Sequence, residues 1–323
     1  MNVAIVGCGA IAHRWVRVLT ADQRVTITAL VDPNPANVVR LRTAHHLTGP
    51  PACSTVEEMM ARDDVDVVVN LTPPDAHYAV SRAALSAGRH VLSEKPLAVD
   101  LGDAVELVRL ADGAGVVLAV MRNRGADPDF ASFATTAAGH GPLAVTAEVL
   151  VELRDPGFRT GQTLPATSDL AVHAFDQVQV LVSAAPQQVH CVEVAMPFLG
   201  RHCALASIVV TFADGSIFAY RGGFAGPGLA TSANGLWRVD GAGMSASWDG
   251  GAQPSDRRGD GAAVAVVPSY QACITAMLDA VQTGAALTSP TVTLRSIAML
   301  DAALTSAATG RPVTVAPVPG GQP

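Results

Sequence analysis

Four short stretches of the chain hold residue types that can do chemistry on or beside a bound nucleotide. In VAIVGCGAIA, residues 3–12, Gly7 and Gly9 follow an apolar run and Ala12 takes the third place of a G-x-G-x-x-G/A turn. Gly7 permits a sharp turn and Gly9 lets backbone approach a pyrophosphate. Ala10 and Ile11 open a helix whose amides can donate to it. At the end of the second apolar run stands Asp32, where a carboxylate accepts hydrogen bonds from the adenosine ribose hydroxyls. The combination predicts a dinucleotide site. Asp32 would repel a 2′-phosphate, and the next basic residue, Arg40, is two helical turns further on. NAD(H) is therefore favoured over NADP(H).

A second stretch, TPPDAH at 72–77, follows another apolar run. Turns at the carboxyl end of a parallel strand lie where such sheets bind ligands, so Thr72, Pro73 and His77 are expected at the cofactor. Pro73 and Pro74 ending a strand and Asp75 opening a helix explain most of the same letters, and leave His77 open between the two roles. In DLAVHAFD, residues 169–176, Asp169 and His173 are four apart and share one helix face, with Asp176 further along it. An imidazole changes charge near neutrality and suits proton transfer, although such a pair is also common on ordinary helices. VLSEKPLAVD, residues 91–100, contains Lys95, the sole lysine among 21 basic residues. Arginine cannot release its proton, whereas the lysine ammonium is compact and its pKa can fall when buried near a cofactor. Glu94 and Pro96 are expected to fix its loop.

Elements must carry these residues to one another. Over the first 120 residues, runs at Val3–Val6, Val25–Val31, Asp66–Asn70, His90–Ser93 and Val116–Val120 read as strands, with helices at 10–21, near 55–62, 76–87 and 101–113. That alternation predicts βαβ units and a doubly wound parallel sheet. Beyond residue 122 the strand-like runs lengthen to Leu143–Leu153, Val189–Met196, Ala204–Phe212 and Ile217–Phe224, with a hairpin signal at Asp214 and Gly215. Helices are expected over 168–183, 269–282 and 291–308, and a loop over 249–263. The fold class is α/β: an N-terminal Rossmann domain, residues 1–122, followed by an α+β domain with an open antiparallel sheet, residues 123–323.

Composition bounds the partners. With 323 residues, 49% apolar and 15% charged, the chain can build two packed cores. Net charge is −7 and the basic residues are dispersed, which argues against nucleic acid. The five cysteines are odd in number and lack CxxC spacing, as expected of reduced thiols in a cytoplasmic protein. The opening residues lack the charged region of a signal peptide, and no window reaches the roughly 18 apolar residues of a membrane span. His45 and His46 point in different directions and the other histidines lack ligand spacing, so no metal is expected.

GCGAIA at 7–12, TPPDAH at 72–77, AGRHVLSEKPLA at 87–98, DLAVHAFD at 169–176 and TGRPV at 309–313 together resemble one family. It is the glucose–fructose oxidoreductase, inositol dehydrogenase and MocA (Gfo/Idh/MocA) family of nicotinamide-dependent oxidoreductases. The resemblance implies hydride exchange with a sugar, amino sugar or cyclitol. It also implies a homodimer or homotetramer formed through the C-terminal sheet. Carried over by position, it makes Lys95, Asp169 and His173 catalytic, with Glu94 and Lys95 also at the cofactor. His173 would take the hydroxyl proton, Asp169 would hold the imidazole, and Lys95 would donate to the developing alkoxide. The family often has a basic residue after its last Rossmann strand, where this chain has Arg122 and Arg124. With Asp176 these are candidate substrate contacts, or they only pack an interface. Where the family commonly has glycines before the helix aspartate, this chain has Thr163 to Ser168, so substrate identity is the least transferable property. The leading expectation is an NAD-dependent oxidoreductase acting on a secondary hydroxyl or ketone, in a biosynthetic role. The alternatives are a cofactor-binding sensor without catalysis and an imine reductase.

Overall fold

The computed structural model describes residues 1–152, 161–198, 202–225, 230–251, 268–284 and 289–320. The chain divides into two compact units, Met1–Met121 with Val266–Pro290, and Arg122–Ala265 with Thr291–Pro323.

The first unit alternates strand and helix. In chain order it runs β1 (Asn2–Val6), α1 (Ala12–Ala21), β2 (Thr26–Val31), α2 (Pro35–His45), β3 (Ala52–Cys53) and α3 (Val56–Met60). It continues with β4 (Val67–Asn70), α4 (Pro74–Ser86), β5 (His90–Ser93), α5 (Leu101–Ala114) and β6 (Leu118–Val120). The strands stand in the order β3-β2-β1-β4-β5-β6, all parallel. Strand order reverses between β1 and β4, which sets a ligand crevice at their carboxyl ends. Strands covered on both faces must be apolar throughout, and Ala4, Ile5, Val67, Val68 and Val69 have no exposed surface. Caps fix the helix starts: Asn34 accepts from the Ala36 amide before α2, and Asp100 from the Asp103 amide before α5.

The second unit opens with α6 (Pro128–Thr135) and β7 (Ala144–Glu152). A π-helical turn, Ala166–Ala171, runs directly into α7 (Val172–Leu181), followed by β8 (Pro186–Ala195), β9 (Ala204–Phe212), β10 (Ile217–Ala225), β11 (Leu236–Gly241) and β12 (Met244–Trp248). After α8 (Pro268–Thr283) come α9 (Pro290–Thr309) and β13 (Val313–Thr314), which completes a sheet ordered β12-β11-β7-β10-β9-β8-β13. Its pairs are antiparallel except β7 with β10, which run parallel. The expected antiparallel sheet is thus mixed, because the chain leaves β7 for the π turn, α7 and the β8–β9 hairpin before β10 returns beside it. Burial alternates along β9: Ala206, Ile208, Val210 and Phe212 face inward, while Ser207 and Val209 face out. The π turn packs on the inner face, against β9 and β10.

Helix α8 departs from the expected division at 122/123, which assigns it to the second domain. Its Tyr270, Cys273, Ile274, Met277 and Leu278 follow helical spacing and are buried in the first unit's core with Val3, Trp15 and Leu19. Each such side chain contributes about 1.5–3 kcal/mol on burial, enough to override chain order. The expected loop at 249–263 lies, beyond Gly251, outside the described residues. Among the described residues, no helix is long and apolar enough to cross a membrane.

Candidate functional site

The carboxyl ends of β1, β2, β4 and β5 bring the first unit's sequence motifs together. Gly7 leaves β1 with φ +93°, and a Cβ there would stand 2.5 Å from the Leu71 carbonyl oxygen, so only glycine fits. Gly9 differs: a Cβ there would meet nothing within 4 Å. Among the described residues, nothing requires glycine at that position, and its open space is where a bound group can come close. Behind it α1 begins with no side-chain cap and no acidic residue in its first turn. The positive end of the helix therefore has no built-in acceptor, which fits a pyrophosphate.

Asp32, 7% exposed just past β2, accepts from the Cys8 amide at 2.9 Å, the Asn34 amide at 2.8 Å and Asn37 Nδ2 at 3.0 Å. A carboxylate offers about four acceptor positions, so capacity remains for ribose hydroxyls. Arg40 donates to the Asn37 side-chain oxygen. A guanidinium is thus tethered one side chain away from Asp32, nearer than sequence spacing suggests. Burial, with Asp32 beside it, pushes the Cys8 thiol up to about 12 and keeps it uncharged.

Three elements converge on the turn that carries Lys95. Glu94 Oε1 accepts from the Trp15 indole of α1 at 2.8 Å and from the Tyr270 hydroxyl of α8 at 2.5 Å, while Oε2 receives the Lys95 amide at 3.3 Å. Burial, and then the Glu94 charge, raise the Tyr270 pKa and keep that hydroxyl a donor. On the other side of Lys95, the Pro96 carbonyl lies 2.6 Å from His77 Nδ1, whose Nε2 faces the Thr72 carbonyl at 2.8 Å. Asn70, ending β4, accepts from the Thr72 hydroxyl at 2.7 Å and donates to the His77 carbonyl at 2.9 Å. His77 is 1% exposed. Its ring ties the Thr72–Pro73 turn to the Lys95–Pro96 turn, so any influence on a cofactor passes through those two turns.

In the second unit, Asp169 lies in the π turn and His173, Asp176 and Gln177 in α7, all buried. Asp176 pairs with Arg122 Nε at 3.1 Å and accepts from the Ser296 hydroxyl at 2.5 Å. These two expected substrate contacts engage one another. Arg124 is different: among the described residues its buried Nη1 has no hydrogen-bond partner, and it lies close enough to Asp169 to feel that charge. Burial pulls its pKa down. The Tyr220 hydroxyl and both amide atoms of Gln177 are also buried without a hydrogen-bond partner among the described residues. Unsatisfied buried polar groups cost about 1–3 kcal/mol each. Such a concentration beside Asp169 and His173 fits a site whose hydrogen bonds are completed by a polar ligand. Among the described residues, no group of three or more His, Cys, Asp and Glu side chains could hold a metal ion.

Sequence reasoning missed Trp15, Tyr270, Tyr220 and Gln177. Gln177 continues the face of Asp169 and His173 by one more turn, and extending the i, i+4 count would have found it. Trp15 and Tyr270 reach Glu94 from far along the chain, and no local spacing signals that.

The crevice, the Gly7–Gly9 turn and Asp32 define a Rossmann-fold dinucleotide-binding protein. Residues 1–122 match the oxidoreductase family with an NAD-binding Rossmann fold, GFO_IDH_MocA. Over those residues the chain is similar to the Gfo/Idh/MocA family that its motifs resemble. It is 33% identical over 192 residues to a myo-inositol dehydrogenase of Streptomyces leeuwenhoekii, covering 58% of each chain. It is 43% identical over 75 residues to an uncharacterized oxidoreductase of Schizosaccharomyces pombe, 23% of this chain and 20% of that one. The chain therefore spans between a fifth and three fifths of these relatives. The crystal structure of GenD2 from gentamicin A biosynthesis, in complex with NAD, superposes with a TM-score of 0.85 at 27% identity, covering 98% of this chain and 97% of that one.

Proposed function

We propose that the protein is an NAD-dependent oxidoreductase that moves a hydride between nicotinamide and a secondary hydroxyl or ketone carbon of a sugar, amino sugar or cyclitol, in a biosynthetic role. The observation that carries this reading is the buried Asp169–His173 face of the π turn and α7, accompanied by unsatisfied polar groups on Arg124, Tyr220 and Gln177. A ligand rich in hydroxyls is what such groups would satisfy.

When bound, NAD supplies the hydride acceptor. Amides of Gly9, Ala10 and Ile11 hold the pyrophosphate, Asp32 accepts from the ribose hydroxyls, and the Thr72–Pro73 turn, held by His77, lines the crevice. An imidazole nitrogen of His173 takes the hydroxyl proton and Asp169 orients the ring. Lys95 Nζ donates to the oxygen on which negative charge develops. Arg124 contacts substrate, whereas the Arg122–Asp176 pair holds α7 in place. The outer sheet face exposes Val192, Val194, Val209, Ile217 and Leu236, which supports a homodimer or homotetramer formed through it. All five cysteines are free and buried, in keeping with a cytoplasmic protein.

The test follows nicotinamide absorbance with the purified chain, NAD or NADP, and a panel of sugars, amino sugars and inositols. Turnover of at least one polyol with NAD is expected, and Lys95→Met should lower it about 10²–10³-fold while NADH still binds. A chain that binds NADH but oxidises or reduces no member of the panel would refute the proposal.

A further inference from the structure

Glu193 sits on β8, on the inner face of the second unit's sheet. It is half-buried, and its carboxylate receives two consecutive backbone amides of the π turn, Ala166 N on Oε1 at 3.0 Å and Thr167 N on Oε2 at 2.8 Å. The Thr167 hydroxyl, 3.5 Å from Cys191 Sγ, adds a further hydrogen bond to the carboxylate. Burial raises the Glu193 pKa against these donors.

Among the described residues, the turn's own N-terminus supplies no side-chain cap. Pro165 precedes it without a side-chain cap, and Ala166 and Thr167 have no exposed surface, so water cannot satisfy their amides. The sheet is shaped for this docking. In register, Glu193 stands opposite Ala206 and Ala206 opposite Gly222, a row with no bulky side chain between Glu193 and β10. Tyr220 lies down over Gly222, where a Cβ would stand in the space of its hydroxyl. The helix start can therefore approach the strands closely at this row.

We infer that Glu193 is a positioning residue for the reaction: by clamping the first two amides of the π turn it fixes Asp169 relative to His173. The inference rests on the roles proposed above for that pair. A π turn holds one more residue per hydrogen-bonded loop than an α turn and needs support from its surroundings. Asp169 lies within it and His173 lies just past its junction with α7. If the turn relaxed to α geometry, each residue between Asp169 and the junction would wind further about the axis, toward about 100° per residue. Asp169 would still share a face with His173, four residues on, but its carboxylate would turn relative to the imidazole.

The experiment uses the full chain saturated with NAD and labelled with ¹⁵N-histidine, the His173 signals being assigned by their loss in His173→Gln. Glu193→Gln keeps the shape but turns one acceptor into a donor facing a backbone N–H. In it the His173 titration midpoint should move to lower pH by about half a unit, because a carboxylate no longer stands beside the ring. Turnover of the polyol found in the panel should fall about tenfold, with NADH affinity within about twofold of wild type. Glu193→Ala should show both effects more strongly; if it does not fold, Glu193→Gln decides alone. An unchanged His173 midpoint in Glu193→Gln overturns the inference, whether or not turnover falls. Because the titration needs no substrate, a wild-type chain inactive on every polyol would refute the proposed function while leaving this test intact.

Discussion

Nδ1 of His77 stands 2.6 Å from the carbonyl oxygen of Pro96, and the opposite ring nitrogen faces the Thr72 carbonyl at 2.8 Å. A neutral imidazole has one N–H and donates to only one of them; the imidazolium satisfies both.

This relationship predicts a pH dependence. Burial is the largest influence and pulls the His77 pKa below its ordinary 6.5, against the two carbonyls and Glu94, with Lys95 adding to the downward pull. A base with a depressed pKa binds fewer protons folded than unfolded. Its contribution to stability is complete above 6.5 and is lost as pH falls below that value. The wild-type Tm, followed by circular dichroism, should drop between about pH 7.5 and about pH 5.5 by more than the Tm of His77→Gln. His45 and His90 are also lowered but are present in both proteins, so their effect cancels. Equal slopes would show that His77 is not the sensitive group.

The two glycines of the first turn should separate folding from binding. Gly7→Ala forces a Cβ to 2.5 Å from the Leu71 carbonyl oxygen at a positive φ, and should yield little folded protein. Gly9→Ala meets nothing within 4 Å, so its urea midpoint should match wild type. Its NADH dissociation constant should nevertheless rise about tenfold or more as the methyl fills the pyrophosphate's approach. Normal NADH binding by Gly9→Ala would remove this assignment.

Arg122 and Asp176 form a buried ion pair, with side chains 13% and 6% exposed. Arg122→Ala leaves the carboxylate with the Ser296 hydroxyl and should cost about 3–5 kcal/mol in equilibrium unfolding. A loss under about 1 kcal/mol would mean that water replaces the guanidinium readily.

Asp32 and the tethered Arg40 make opposing demands on a 2′-phosphate. Asp32→Ser removes the repulsion while Asn37 still holds Arg40. The ratio of NADPH to NADH affinity, from fluorescence titration, should rise about tenfold or more. An unchanged ratio would show that Arg40 does not reach the phosphate position.

Much of this was legible in the sequence for a physical reason: parallel strands buried on both faces must be unbroken apolar runs, and Val67 to Val69 announce themselves as such. Gly7, Asp32, Thr72 and Glu94 follow those runs, so the sheet's topology gathers them at one edge without long-range information. Strand β3, with two residues, is too short to leave a pattern. Strands β11 and β12 have mixed polar faces that blur alternation. The handles on Glu94 were invisible because Trp15 and Tyr270 read as ordinary core aromatics until the fold aims their polar atoms at one oxygen. The π turn was hidden too, since residues four apart, such as Asp169 and His173, share a face in an ordinary α-helix and give no sign of the wider turn. Glu193 reads in sequence as one residue of the Val189–Met196 run, and its two backbone donors on the π turn come from far along the chain.

Helix α8 has a consequence for how the protein is made. The first unit's core is incomplete without Ile274, Met277 and Leu278, and the Glu94 carboxylate lacks one donor without Tyr270. During synthesis the nucleotide-binding half cannot close when its own last strand leaves the ribosome near residue 120. It must wait, with an apolar groove open, until most of the second half has also emerged. A nascent chain stalled between those points should be bound by chaperones that recognise exposed apolar surface, and a gene fragment ending at residue 122 should express as aggregate.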